Sequence, residues 1–458
     1  MSKLRILVLG PDCDPESISI PFVAYCHAAA LAQLHEVTLV AKSSVEHALQ
    51  RASAPFRAIE VVRIPFVDRI FEWGFRWIFK GNFDSQLLTG FRYPFSIVFE
   101  WYAWHQLRRR IFAGEFDVVL RLLPMAPTLP SPFAFFVRKG PIPFVVGPLN
   151  GGLRSAPGFS QPDTKKGFTF GLRKLYRLVP FARSTYRNAA AVIAATSHMR
   201  SEFAAYQEKV FFIPENGISL SLCSPDSRCN EPGEKLKLIF VGGLVRRKAC
   251  YIGLRAAAAV LRADLAQFTI IGDGPERKNL EELVRSLGIE KNVFFCNWLS
   301  HSEVIKHLRS SDVVVLPAIR EGGGGVVFEA LASGAVPVIL DWGGPGDIVH
   351  PEVGYKVPPS KEDRVVAQME DILKKLADDP ELIEKLRKQG MQYARECLTW
   401  DAKALSTTQV LNWVVQRGPK PDLPWAKMAR VKCFNGLGVE HPPRVRDQQE
   451  DGIGIAQK

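Results

Sequence analysis

"REGGGGVVFEALASG", Arg320 to Gly334, sets four consecutive glycines between two glutamates eight positions apart, Glu321 and Glu329, and then runs into helix-forming residues. Glycine has no Cβ, so its backbone can approach another group closely, and the first amides of a helix point unpaired N–H groups outward. With VVFEALASG as the helix, Gly322, Gly323, Gly324 and Gly325 make a cradle for an anion at its N-terminus. Glu321 then lies on the loop and Glu329 in the second turn; a fully helical segment would separate them by about 12 Å along the axis. One carboxylate can reach one end of an extended ligand while the other reaches the far end. A glycine turn flanked by two solvated glutamates is the competing reading.

Outward from this stretch, short apolar runs alternate with helix-like segments, the pattern of parallel sheets in an α/β protein. "LKLIFVGG" (Leu236–Gly243), "QFTIIGDGP" (Gln267–Pro275), "NVFFCNW" (Asn292–Trp298), "DVVVLPA" (Asp312–Ala318) and "AVPVILD" (Ala335–Asp341) read as strands of one sheet. "RILVLG" (Arg5–Gly10), "EVTLVA" (Glu36–Ala41), "FDVVLRLL" (Phe116–Leu123), "PFVVGPL" (Pro143–Leu149) and "AAVIAAT" (Ala190–Thr196) read as strands of another. The expected fold is therefore two Rossmann-like βαβ domains facing each other across a cleft, at residues 1–225 and 226–400, joined by the polar, proline-containing linker "SPDSRCNEPGE" (Ser224–Glu234). Residues 401–418 read as a helix crossing back to the first domain, and 419–458 as a disordered tail.

The chain has 458 residues and a formal net charge of +12, which calls for an anionic partner: nucleic acid, a membrane surface or a phosphorylated substrate. Nucleic acid is the weakest of these, since there is no zinc-finger spacing, no RNP-type aromatic strand and no long lysine tract. The basic residues gather locally, as in "QLRRRIF" (Gln106–Phe112) and "GLRKLYRLVPFARSTYR" (Gly171–Arg187), which also fit solvated helix faces. Eight cysteines without a C-x-x-C pair indicate neither a zinc site nor a disulfide framework. No run reaches the roughly 18 apolar residues that span a bilayer, and no cleavage site follows "KLRILVLGP", so a cytoplasmic address is expected. Rings and cations mix along Phe66–Phe112, which suits an anionic membrane interface and equally suits a helical cap packed on the sheet.

"EGGGGVVFEALASGAVPVI" resembles the E-x7-E segment of the retaining nucleotide-sugar glycosyltransferases of glycosyltransferase family 4, which have the GT-B fold. Four further stretches are similar to that family in the same order. "IPENGIS" (Ile213–Ser219) resembles its domain junction and "FVGGLVRRKA" (Phe240–Ala249) its diphosphate loop. "IIGDGPERKNLEEL" (Ile270–Leu283) resembles its G-x-G-P turn and "DWGGPGDIV" (Asp341–Val349) the glycine-proline loop after the next strand. The resemblance implies that Lys248 neutralises a donor diphosphate, Glu329 holds the ribose hydroxyls and Glu321 contacts the sugar near its reacting carbon. It implies a nucleotide-sugar as donor substrate, a glycan or lipid-linked acceptor, and neither a cofactor nor a metal.

Two positions depart from the family pattern. Gly243 stands where arginine is usual, leaving Arg246 or Arg247 to supply the second cation, and Leu120 stands where many members carry histidine. On the acceptor side, Ser17 and Ser19 in "DPESISIPF" and Asn150 in "GPLNGGL" are cleft candidates by position. The D-x-D at Asp12–Asp14 reads as a chance pair of acids in a loop. Base-reading contacts are expected near Asn297–Leu299. Alternatives are a non-catalytic nucleotide-sugar or partner-binding protein and a nucleotide-sugar epimerase. An oxidoreductase is disfavoured because Gly272-Asp273-Gly274-Pro275 lacks the third glycine of a dinucleotide fingerprint.

Overall fold

The computed structural model describes residues 3–52, 54–64, 93–159, 179–223 and 234–424. The linker at 224–233, the aromatic stretch at 65–92, the first eight residues, 171–178, of the basic stretch and the tail from 425 onward lie outside the described residues.

Among the described residues the strands form two parallel sheets. The first is ordered β3-β2-β1-β4-β5-β6-β7, with β1 Arg5–Leu9, β2 Glu36–Lys42, β3 Ala58–Val62, β4 Val118–Arg121, β5 Phe144–Leu149, β6 Ala191–Ala194 and β7 Val210–Phe212. The second is ordered β10-β9-β8-β11-β12-β13, with β8 Leu236–Val241, β9 Ala266–Ile271, β10 Val293–Cys296, β11 Val313–Leu316, β12 Val336–Leu340 and β13 Tyr355–Val357. Central strands such as β4, β5, β6, β11 and β12 are buried throughout, because helices cover both faces and leave no reason for polar alternation. In each sheet the strand order reverses beside the first strand, between β1 and β4 and between β8 and β11. Loops leaving the carboxyl ends there form a crevice suited to a ligand.

The chain passes between the halves twice, and the passages lie side by side. The Ile218 N–H donates to the Leu398 carbonyl and the Trp400 N–H to the Ile218 carbonyl, both at 3.0 Å. The helix Trp400–Gln416 then lies on the first helix, Ile20–Leu34, through buried polar contacts: His27 Nε2 with Thr407 Oγ1 at 2.9 Å and His35 Nε2 with Thr408 Oγ1 at 2.8 Å.

The described half of the aromatic segment, Tyr93–Phe112, is a helix that buries Phe99, Ala103, Trp104, Leu107 and Ile111 against the first sheet. Trp104 packs on Phe133 and Phe136, while Trp101 and Phe112 stay exposed. No helix among the described residues is long and apolar enough to cross a membrane.

Leu120 sits inside β4, opposite Val8 and Val145, with 0% exposure. A side chain there faces the core, so the departure at Leu120 removes nothing from the cleft. Its neighbour Arg121 is also buried, with its Nε donating to Glu100 at 2.7 Å.

Candidate active site at the glycine-rich loop

The chain leaves β11 and reaches Glu321 at the crevice. The helix runs Gly325–Ser333 with Gly324 as its N-cap, at φ 63°, a left-handed conformation that excludes most side chains. The sequence reading makes these glycines a cradle of amides for an anion, and on their Cβ side the structure sets protein groups. A Cβ on Gly322 would meet the Asn150 amide at 2.8 Å, one on Gly323 would strike Glu215, and one on Gly324 would meet Pro345 at 2.8 Å; only Gly325 has ordinary room. Close approach is real here, but protein side chains make it.

Glu321 is largely buried. Its Oε1 accepts the Gly324 N–H at 3.2 Å, Lys248 Nζ lies 2.5 Å from Oε2, and Arg247 is 3.9 Å away. Burial alone would push its pKa up, but Lys248, the Gly324 amide and Arg247 outweigh it and hold the carboxyl below its usual value.

Lys248 ends a short turn, Arg246–Lys248, that follows β8. That turn is tied to the loop before Glu321, because the Arg247 carbonyl accepts the Ile319 N–H at 3.0 Å. The two candidate arginines point differently. Arg246 lies over the Tyr251 ring at 4.1 Å and 3.9 Å from Glu276, whereas Arg247 faces Glu321. Gly243 faces open space bounded by the exposed Trp298 indole, 3.8 Å from where its Cβ would be.

Glu329, one turn into the helix, pairs through Oε1 with His301 Nε2 at 2.9 Å. Donating to the Glu329 carboxylate raises the His301 pKa. Nothing in the sequence linked the two, which are 28 residues apart and meet only because neighbouring helices bring them together. A cavity of about 420 Å³ opens beside this pair, walled by Phe22, Tyr25, Leu222 and Trp400.

Ser19 caps the first helix at φ 64°, ψ −137°, a conformation natural only to glycine. It makes no side-chain capping bond, so Ser19→Gly is expected to raise stability by about 1 kcal/mol, read as a higher thermal midpoint. Ser17 is half-buried and makes a long contact to the Ile18 carbonyl, at 3.5 Å. Asp12 of the D-x-D is paired with Lys42 at 2.8 Å, and Asp14 accepts the Glu16 N–H at 2.9 Å.

Across the crevice the halves touch directly. The Ala156 N–H donates to the Ile319 carbonyl at 2.8 Å, Trp342 Nε1 to the Arg154 carbonyl at 2.9 Å, and the Ser197 N–H to Asp347 at 2.8 Å. Behind the glycine loop, buried Lys403 donates to the Glu215 carbonyl. Burial pushes Lys403 down to about 7, against the opposing pull of Glu215 and Cys26. Between that value and the ordinary 10.5 the unfolded chain binds the extra proton, so this group makes stability rise with pH across the window. The Lys403→Met variant should gain on wild type in thermal midpoint at pH 6.5 and lose that advantage by pH 9.

Residues 227–395 match the family model for glycosyl transferases group 1. The matched segment contains Lys248, Glu321 and Glu329. An uncharacterised glycosyltransferase of Methanocaldococcus jannaschii is 30% identical over 174 residues, 38% of this chain and 44% of the relative. Alpha-D-kanosaminyltransferase of Streptomyces kanamyceticus is 29% identical over 220 residues, 44% of this chain and 55% of the relative. The chain thus spans about half the length of these curated relatives. Anabaena HepE, crystallised in complex with UDP, superposes with a TM-score of 0.57 at 16% identity, covering 89% of this chain and 100% of that one. The fold is GT-B. After the expectation from the sequence, the first sheet with its loops is called the acceptor-side domain and the second sheet the donor-side domain.

Proposed function

We propose that this chain is a retaining glycosyltransferase that moves a sugar from a nucleoside-diphosphate donor to a hydroxyl of a glycan or lipid-linked acceptor. One observation carries the reading: Lys248 and Glu321 meet at 2.5 Å directly in front of a helix N-terminus, and Glu329 projects from the same helix one turn on. The family match over residues 227–395 and the UDP bound by HepE support it.

A diphosphate carries more charge than a carboxylate, so it competes for Lys248 and Arg247 and releases Glu321 to accept hydroxyls of the sugar. The helix amides add fixed positive potential. Glu329 accepts from the ribose diol, with the neighbouring cavity leaving room for the nucleoside. The bond between the anomeric carbon and the diphosphate oxygen breaks with its electrons going to the diphosphate. The acceptor oxygen bonds to the same face, and its proton passes to the departing phosphate. Positive side chains and amides meet the developing charge, so no step is routed through a metal.

The test is a screen of UDP-, GDP-, ADP- and CMP-sugars for thermal stabilisation and nucleotide release. Stabilisation by one nucleotide class together with turnover supports the proposal. Binding without turnover on any glycan or lipid acceptor favours the non-catalytic reading instead. The +12 charge and the exposed Trp101 and Phe112 rings support an acceptor at an anionic membrane surface. The protein is then expected to float with anionic liposomes, and complete retention in the bottom fraction refutes the membrane part.

A further inference from the structure

In "IPENGIS" an acid, Glu215, directly precedes the asparagine of the domain junction, and the proposed chemistry gives it no role. It stands where the chain crosses between the sheets. Asn150 Nδ2 donates to Glu215 Oε2 at 2.6 Å, and Lys403 Nζ donates to the Glu215 carbonyl. Asn150 is itself fixed, with its Oδ1 accepting the Gly151 N–H at 2.7 Å. Glu215 is therefore held from the acceptor-side domain and from the returning helix at once.

The far side of this cluster is the glycine-rich loop. Glu215 Oε1 and Asn216 Nδ2 fill the place a Cβ would take on Gly323, and the Asn150 amide fills that place on Gly322. A run of glycines has the widest conformational freedom of any sequence, so its amides keep one direction only if something outside the run packs against it. Three side chains that do so, Glu215, Asn216 and Asn150, come from outside the donor-side sheet.

We propose that Glu215, held by Asn150, is a positioning residue that fixes the glycine-rich loop in the geometry that receives the donor diphosphate. This rests on the reading of the loop as a diphosphate site. Glu215 acts through Gly323 rather than on the ligand, and it makes the shape of the donor loop depend on the acceptor-side residue Asn150. Loss of either side chain frees the loop without removing any group that touches the donor.

Hydrogen exchange of the 320–334 segment in the unliganded full-length protein tests the contact, and calorimetric titration with UDP, GDP and ADP tests its consequence. Glu215→Ala and Asn150→Ala should each speed exchange of the loop amides by about tenfold or more, with the β6 and β11 amides at wild-type rates. Affinity for whichever nucleoside diphosphate binds wild type should fall by a similar factor. Glu215→Gln keeps an oxygen for Asn150 and nearly the same volume, and should restore most of both. Loop exchange within twofold of wild type in both alanine variants overturns the proposal. So does uniform acceleration across both sheets, the mark of general destabilisation. If loop exchange responds as expected but wild type binds none of the three nucleotides, the donor reading fails while the loop-fixing role stands.

Discussion

Glu321→Gln is expected to lower sugar transfer by about 100- to 1,000-fold, the range for removing one preorganised electrostatic contact to a reacting centre. Turnover with the assigned donor measures it, and a fall of less than fivefold refutes a role at the reacting sugar. Lys248→Ala should be as damaging for a different reason: it removes the cation nearest the diphosphate and leaves Glu321 buried with only the Gly324 amide and the more distant Arg247. The two losses separate by pH. In wild type the folded Glu321 carboxyl lies below its usual 4.5, so its contribution to stability is present above the unfolded value and is lost as pH falls through the folded one. Without Lys248 the burial effect dominates and the carboxyl moves up. The acid limb of the variant's pH–activity profile should therefore move to higher pH, and its stability should fall as pH rises through that window.

Arg121→Ala is expected to cost about 3–5 kcal/mol, the largest effect on stability anticipated here, because it strands the buried Glu100 carboxylate. Arg121 and Glu100 meet at 2.7 Å, with side-chain exposures of 0% and 2%. Arg121 also donates to the Leu129 carbonyl at 2.8 Å, and Glu100 accepts from Ser131 Oγ at 2.5 Å and the Phe133 N–H at 3.2 Å. The network is closed, so breaking it from one side leaves donors and acceptors without partners. The double variant Arg121→Met with Glu100→Leu removes both charges and should recover most of the loss. A urea-unfolding midpoint for Arg121→Ala close to wild type would show that Glu100 finds another partner.

Of the four strands at sheet edges, the sequence reading found only β10. β3, β7 and β13 escaped it, and all three are sheet edges: two have three residues each, and β3 is half-buried along most of its length. A strand covered on both faces must be apolar throughout and is visible as a run of Val, Ile and Leu, whereas a short edge strand leaves little pattern. The candidate site divides in a similar way. Glu321, Gly322–Gly325 and Glu329 share one continuous stretch whose glycines and spacing are legible by themselves. The pairing of His301 with Glu329 and the packing of Glu215 on Gly323 join residues from separate segments, which no local pattern records.

By itself the sequence determined two parallel α/β sheets in series, the helix behind a glycine-rich loop, and the bracketing carboxylates, because hydrophobic periodicity and glycine placement act over a few neighbouring residues. The tertiary structure alone decided which arginine faces Glu321, that Leu120 belongs to the core, and that Asn150 and Glu215 fill the space beside the glycines. Side-chain direction depends on groups brought in from elsewhere in the chain. At Gly323 the group brought in was a carboxylate more than one hundred residues away in sequence, and only the crossing of the chain between the two sheets put it there.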